Sequence, residues 1–100
     1  MKIAIPTDDG KTVGKVFGRA ASFALYDTET ENLIVLANEG KNAEHGAGTG
    51  AASFLAEQGV KTIAAPEVGP KAASALAAAG ISVRTVEAGT DLRTTAAACR

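Results

Sequence analysis

Glu44-His45-Gly46-Ala47-Gly48-Thr49-Gly50-Ala51-Ala52 is the stretch at which the chain changes its period. Ahead of it, apolar residues come in short runs of strand type. Behind it, Ala47, Ala51, Phe54, Leu55 and Gln58 recur at helical spacing, so the glycines form a turn that runs straight into a helix. Glycines at 46, 48 and 50 remove side chains that would hold a ligand away from the backbone. The first N–H groups of the helix lack partners within it, and its dipole places partial positive charge at the same end. Such a turn suits an anion: a phosphate, a carboxylate or an anionic metal–sulfur cluster. It also carries the chain's single histidine, His45.

Working back from this turn, Leu33-Ile34-Val35-Leu36-Ala37 reads as a strand of β-branched and aliphatic residues. The polar run Asp27 to Asn32 joins it to Ala21 to Asp27, a strand with Phe23 and Leu25 on one face and Tyr26 on the other. These two form a hairpin. The first strand covers residues 2 to 6, with Pro6 and Thr7-Asp8-Asp9-Gly10 supplying turn chemistry at its end.

Working forward, Gly59 caps the first helix and Val60 to Ala65 is a fourth strand. Pro70 opens a second helix with Ala73, Leu76 and Ala77 as its packing face and Gly80 as its cap. Ile81 to Val86 is a fifth strand. Thr90-Asp91 caps a last helix, Leu92 to Cys99, whose alanines bury little and whose end frays.

The order β-β-β-α-β-α-β-α, with right-handed crossovers, defines an α/β fold with a five-stranded mixed sheet in the order 3-2-1-4-5, flanked by helices, as in the ribonuclease H-like topology. Loops after strands one and four, and the turn opening the first helix, then fall at one end of the sheet, where open α/β sheets place ligands. Asp8, His45 and Glu67 are expected to converge there.

Composition narrows the function. One hundred residues with 46% hydrophobic content fit a single domain spanning 1–100. A net charge of −1, with basic residues scattered, argues against nucleic acid and anionic membrane surfaces as partners. No apolar run approaches a membrane span, and the opening residues read as a strand rather than a signal peptide, so the expected location is cytoplasmic, as a monomer or weak homo-oligomer. A lone cysteine, Cys99, excludes an internal disulfide and any four-thiolate metal site. A metal held by this chain must use His45, carboxylates or Cys99, or arrive in a preformed assembly whose sulfides already fill most coordination positions.

Four pieces in order carry a resemblance: Met1-Lys2-Ile3-Ala4-Ile5-Pro6-Thr7-Asp8, Phe17-Gly18-Arg19-Ala20, His45-Gly46-Ala47-Gly48 and Glu67-Val68-Gly69-Pro70-Lys71-Ala72. Together they resemble the dinitrogenase iron-molybdenum cofactor biosynthesis family, the small NifX-like domain also found at the carboxyl end of NifB-type proteins. The resemblance covers residues 1 to about 88. It implies a ribonuclease H-like fold and the binding and carrying of an iron–sulfur or molybdenum-containing metal–sulfur cluster. Partners would then be proteins that assemble or accept the cofactor. Family members often carry a histidine before the Phe-Gly-Arg-Ala piece, where this chain has Val16.

The residues expected to bind the cofactor are therefore Arg19, His45, Gly46, Ala47, Gly48, Glu67 and Gly69, with His45 as the metal ligand. Neutral imidazole is the commonest metal ligand, and glycine on its carboxyl side leaves it sterically free. Arg19 brings five donors to an anion. No catalytic residues are expected. Two other classes fit parts of the pattern. A nucleotide-binding module would use Gly46-x-Gly48-x-x-Ala51, with Glu67 about twenty residues on, but the turn follows a hairpin rather than the opening strand. A metal-dependent nuclease would need several converging carboxylates, and only Asp8 and Glu67 qualify. Cys99, one residue from the carboxyl end, reads as a tail thiol rather than a mobile ligand.

Overall fold

The computed structural model describes residues 1–39 and 47–99. Its elements are β1 (Lys2–Thr7), β2 (Ser22–Asp27), β3 (Leu33–Ala37), α1 (Ala47–Glu57), β4 (Val60–Ala65), α2 (Pro70–Ala78), β5 (Ser82–Thr85) and α3 (Leu92–Ala98). The five strands form one sheet in the order β3-β2-β1-β4-β5. β2 runs antiparallel to both β1 and β3, while β4 is parallel to β1 and β5 is parallel to β4. This is the mixed sheet expected from the sequence.

The period-two alternation of side chains divides the core into two layers. On one face Ala4, Phe23, Leu25, Ile63 and Ala65 pack with Ala51, Leu55, Ala72 and Leu76 of α1 and α2. On the other, Ile3, Ile5, Ala24, Tyr26 and Ala64 pack with Leu92 and Ala96 of α3 and with Cys99, its C-cap. Register makes this consistent: Ile3 lies opposite Tyr26, Ala4 opposite Leu25 and Ile5 opposite Ala24. Phe17, outside the strands, fills the first layer with its ring 5.3 Å from that of Phe23.

Three expectations are corrected. Strand one continues through Pro6 to Thr7 instead of stopping at Pro6. Thr28 N–H donates to Met1 O, so odd residues of β1 exchange bonds with β2 and even ones, Pro6 included, face β4. The ladder to β4 runs only to Ala4 opposite Ile63, so the N–H that proline lacks has no partner to lose, and Pro6 O instead accepts from Gly14 N at 2.7 Å. β1 and β4 thus part at their carboxyl ends. Second, α2 packs through Ala72, Ala75 and Leu76 while Ala73 and Ala77 are exposed. Leu76 is the only large apolar side chain in the helix and sets its phase, and Ala72, one turn earlier, shares its face. Third, Cys99 is 4% exposed and belongs to the core beneath α3, so the last helix does not end in a loose thiol.

The strand edges differ from the middle. Ile34 and Val35 of β3 and Val83 of β5 are exposed large apolar residues at the two sheet margins. Between them, the connections after β1 and β4 occupy one end of the sheet, together with the start of α1.

Candidate functional site

An open cleft of about 670 Å³ lies at that end. Three segments wall it: Val16, Phe17, Gly18 and Arg19 from the β1–β2 connection, Gly48 and Thr49 from the first turn of α1, and Glu67, Gly69, Pro70, Lys71 and Ala72 from the β4–α2 junction. Four of the expected binding residues, Arg19, Gly48, Glu67 and Gly69, therefore share one cavity. Ala47 opens α1 beside it. His45 and Gly46 lie outside the described residues.

Both helices present their amino ends to the cleft. Gly69 is the N-cap of α2, with φ −66° and ψ 162°, and makes no side-chain cap hydrogen bond; Pro70 follows in the first turn. Proline has no N–H, so the unpaired donors of this turn belong to Lys71 and Ala72. α1 begins with Ala47-Gly48-Thr49 and has no acidic residue in its first turn. Each end carries up to about half a positive charge. Arg19 and Lys71, both exposed, add two cations and Glu67 one anion, so the charged lining is net positive.

The helices come this close because of Gly48. A Cβ at that position would lie 2.6 Å from Ala72 Cβ and 3.3 Å from Ala72 Cα. The sequence reading gave this glycine to the ligand. In the structure its missing side chain admits α2 against α1, and that contact is what sets the two helix ends side by side.

The Phe17-Gly18-Arg19-Ala20 segment is held from several directions. Phe17 is buried, and Ala20 N–H returns to Phe17 O at 3.4 Å. Asp8 Oδ1 accepts from Ala21 N–H at 2.9 Å. Asn38, which follows β3, donates through Nδ2 to Gly18 O and Ala20 O, each at 3.0 Å. Asn38 was not read from the sequence as part of the site. A lone asparagine after a strand reads as turn chemistry, and its partners lie some twenty residues away.

Asp8 and Glu67, expected to converge, line two different clefts. Asp8 is turned to Ala21 N–H and lines a second cleft of about 450 Å³ with Asp9, Thr12, Gly14, Lys15 and Gly89; the two clefts share Val16 at their border. The neighbouring Asp9 carboxylate closes a tight loop, accepting from Thr12 N–H, Lys11 N–H and the Thr12 hydroxyl at 2.8 Å each and from the Thr7 hydroxyl at 3.3 Å. The backbone N–H of Thr12, then that of Lys11, holds its carboxyl far below the ordinary value. Among the described residues no three of His, Cys, Asp and Glu are grouped to hold a metal ion.

Fold and cleft together define a small α/β domain with a cleft of net positive lining at the carboxyl ends of β1 and β4. The family model of the dinitrogenase iron-molybdenum cofactor family matches residues 1–99, and the chain belongs to that family. The apo form of the orange protein from Desulfovibrio gigas is similar, with a TM-score of 0.87 and 35% identity over 96% of this chain and 83% of that one. A Thermotoga protein assigned to NifB gives a TM-score of 0.80 at 34% identity, covering 98% of this chain and 85% of that one. An uncharacterised protein of Methanocaldococcus jannaschii is 37% identical over 86 residues, 83% of this chain and 72% of the relative.

Proposed function

We propose that the chain is a carrier for a preassembled anionic metal–sulfur cluster, an iron–sulfur or iron–molybdenum cofactor or precursor, held in the cleft between the amino ends of α1 and α2. The observation that carries this reading is the meeting of the amino ends of α1 and α2, the latter without a side-chain cap, with Arg19 and Lys71 on one cavity. Family membership and the likeness to the NifB-assigned protein support the class of cargo. They also support treating residues 1–100 as one domain with a ribonuclease H-like motif. The cleft chemistry fits such a cargo. Sulfide is a large, polarisable and weak acceptor, and the walls offer backbone N–H groups, two cations and the apolar surfaces of Val16, Phe17, Pro70 and Ala72.

Magnitudes assign the roles. An exposed helix end stabilises a negative charge by about 0.3–1 kcal/mol, so two ends fall far short of the roughly 8 kcal/mol of a micromolar complex. The remainder comes from Arg19 and Lys71 and from a direct bond to metal, which we assign to His45. Gly46, Ala47, Gly48 and Gly69 supply close backbone approach, and Glu67 is the carboxylate among the binding residues of the same cleft. Cofactor-assembly or acceptor proteins are the expected partners, in the cytoplasm. No described helix is long and apolar enough to cross a membrane.

The other classes receive less support. The nucleotide fingerprint places its glycine turn after the opening strand, yet α1 follows the β2–β3 hairpin. The nuclease reading requires Asp8 beside Glu67, yet they line different clefts.

The test is anaerobic titration with tetrathiomolybdate and with a synthetic four-iron four-sulfur thiolate cluster, reading metal stoichiometry and visible charge-transfer absorption for the wild type and His45→Ala. Stoichiometric uptake that the variant loses supports the carrier and its ligand. Equal uptake by both removes His45 from the role. No uptake by either refutes the carrier reading.

A further inference from the structure

We infer that Asn38 is a positioning residue for the cleft, a clamp that fixes the backbone on both sides of Arg19 so that its guanidinium is presented to an anion. The inference rests on the carrier reading for its ligand, though the clamp itself is a property of the free protein. Phe17-Gly18-Arg19-Ala20 is a turn closed by Ala20 N–H to Phe17 O, with Arg19 near its tip and exposed. Asn38 is 3% exposed, and its amide nitrogen donates to Gly18 O and to Ala20 O, the carbonyls that flank Arg19 in the chain, at 3.0 Å each. Both donor hydrogens of Nδ2 are thereby used. Asn38 is itself fixed, because its backbone N–H donates to Ala21 O at 3.0 Å and continues the β2–β3 ladder by one residue.

The geometry favours a functional role over simple loop closure. A turn carrying a buried Phe17 is already anchored on one side, and Asp8 holds Ala21 N–H on the other. Asn38 adds restraint at the two peptide groups next to Arg19, the only cation this connection contributes to the cleft. An arginine on a fixed backbone loses less freedom when it engages an anion, and that saving appears as affinity. Asn38 directly follows β3, so one side chain ties the Arg19 wall of the cleft to the end of the β2–β3 hairpin.

The experiment has two parts. In the free protein, 15N relaxation and amide hydrogen exchange are compared for wild type and Asn38→Ala. Amides 18–21 are expected to become mobile on the nanosecond scale and to exchange faster, while those of β1 and β4 stay protected. Unchanged dynamics at 18–21 overturn the clamp whatever the cargo. Tetrathiomolybdate binding is then measured in a double-mutant cycle of Asn38→Ala with Arg19→Ala. Asn38→Ala is expected to weaken binding roughly fivefold to tenfold when Arg19 is present, the cost of ordering a long side chain and its loop, and to have no effect when it is absent. The same loss in both backgrounds overturns the positioning role. Absence of wild-type binding refutes the carrier reading and, with it, the role towards an anion, leaving the dynamics to decide the clamp. Should Asn38→Ala fail to fold, Asn38→Ser, with one donor on a shorter side chain, is read in the same way.

Discussion

Replacing Gly48 with alanine tests the joint between the two helices. In an isolated helix Gly→Ala stabilises by up to about 1 kcal/mol, because alanine has less backbone freedom to lose. Here the new methyl would sit 2.6 Å from Ala72 Cβ. Carbon atoms prefer about 3.5–4.0 Å, so α1 and α2 must separate by roughly 1 Å or more at the mouth of the cleft. Ala72 has no side-chain torsion with which to yield, and forced repacking of this kind costs about 1–3 kcal/mol. The expected net effect is destabilisation by about 1–2 kcal/mol, equivalent to a fall in Tm of roughly 5–10 °C for a domain of this size. Urea denaturation monitored by circular dichroism measures it. Ala72→Gly, which removes the opposing methyl, completes a cycle: with Gly48→Ala it should show a favourable coupling of about 1 kcal/mol or more. A Gly48→Ala protein that is more stable than wild type, with an additive cycle, would refute the close-packing argument. It would leave close approach to a ligand as the remaining reason for a glycine at position 48.

Further outcomes follow from the core, the tight loop and the cleft. Leu76→Ala removes the side chain that keys α2 to the sheet and should cost about 2–5 kcal/mol, read as a lower urea midpoint. Cys99 should resist a thiol reagent in native buffer and react at once in denaturant, since it is buried; rapid native labelling would contradict its place beneath α3. Asp9 has a folded pKa below its unfolded 3.8, so its stabilisation is complete above that value and is lost as pH falls through and beneath it. The stability difference between wild type and Asp9→Asn should therefore shrink below about pH 4, and a constant difference down to about pH 2 would refute the loop's dependence on the carboxylate. Arg19→Ala should change stability by less than about 0.5 kcal/mol while weakening anion binding and flattening its salt dependence, checked by titration at two ionic strengths.

How far the sequence reaches depends on how many answers each residue permits. The strands and their order were legible because Ile3, Ile5, Phe23, Leu25 and Ile63 leave little choice of face, and Gly59 and Gly80 end their helices with positive φ of 80° and 75°. The face of α2 was not, because a helix of alanines offers several equivalent stripes and one leucine must choose among them. Cys99 was misplaced because a chain end reads as frayed, although Leu92, Ala96 and Cys99 fall on one helical face above Ile3 and Ile5. For the cleft, Arg19, Gly48, Glu67 and Gly69 were marked by motif and do meet. Lys71 could have been found from its place just after Pro70. Asn38 could not, since its meaning lies in carbonyl groups that only the tertiary fold brings to it.

The walls of the cleft also impose a timetable. The β2–β3 hairpin closes over a short polar turn and can form early, since local contacts require little loop entropy. The cradle cannot. Arg19 waits for β1 and β2 to pair, and Gly48 meets Ala72 only after the whole β4 crossover has been completed. A chain emerging during synthesis therefore offers no seat for a cargo until α2 has docked, and competence to bind arrives with the last helix of that layer instead of growing strand by strand.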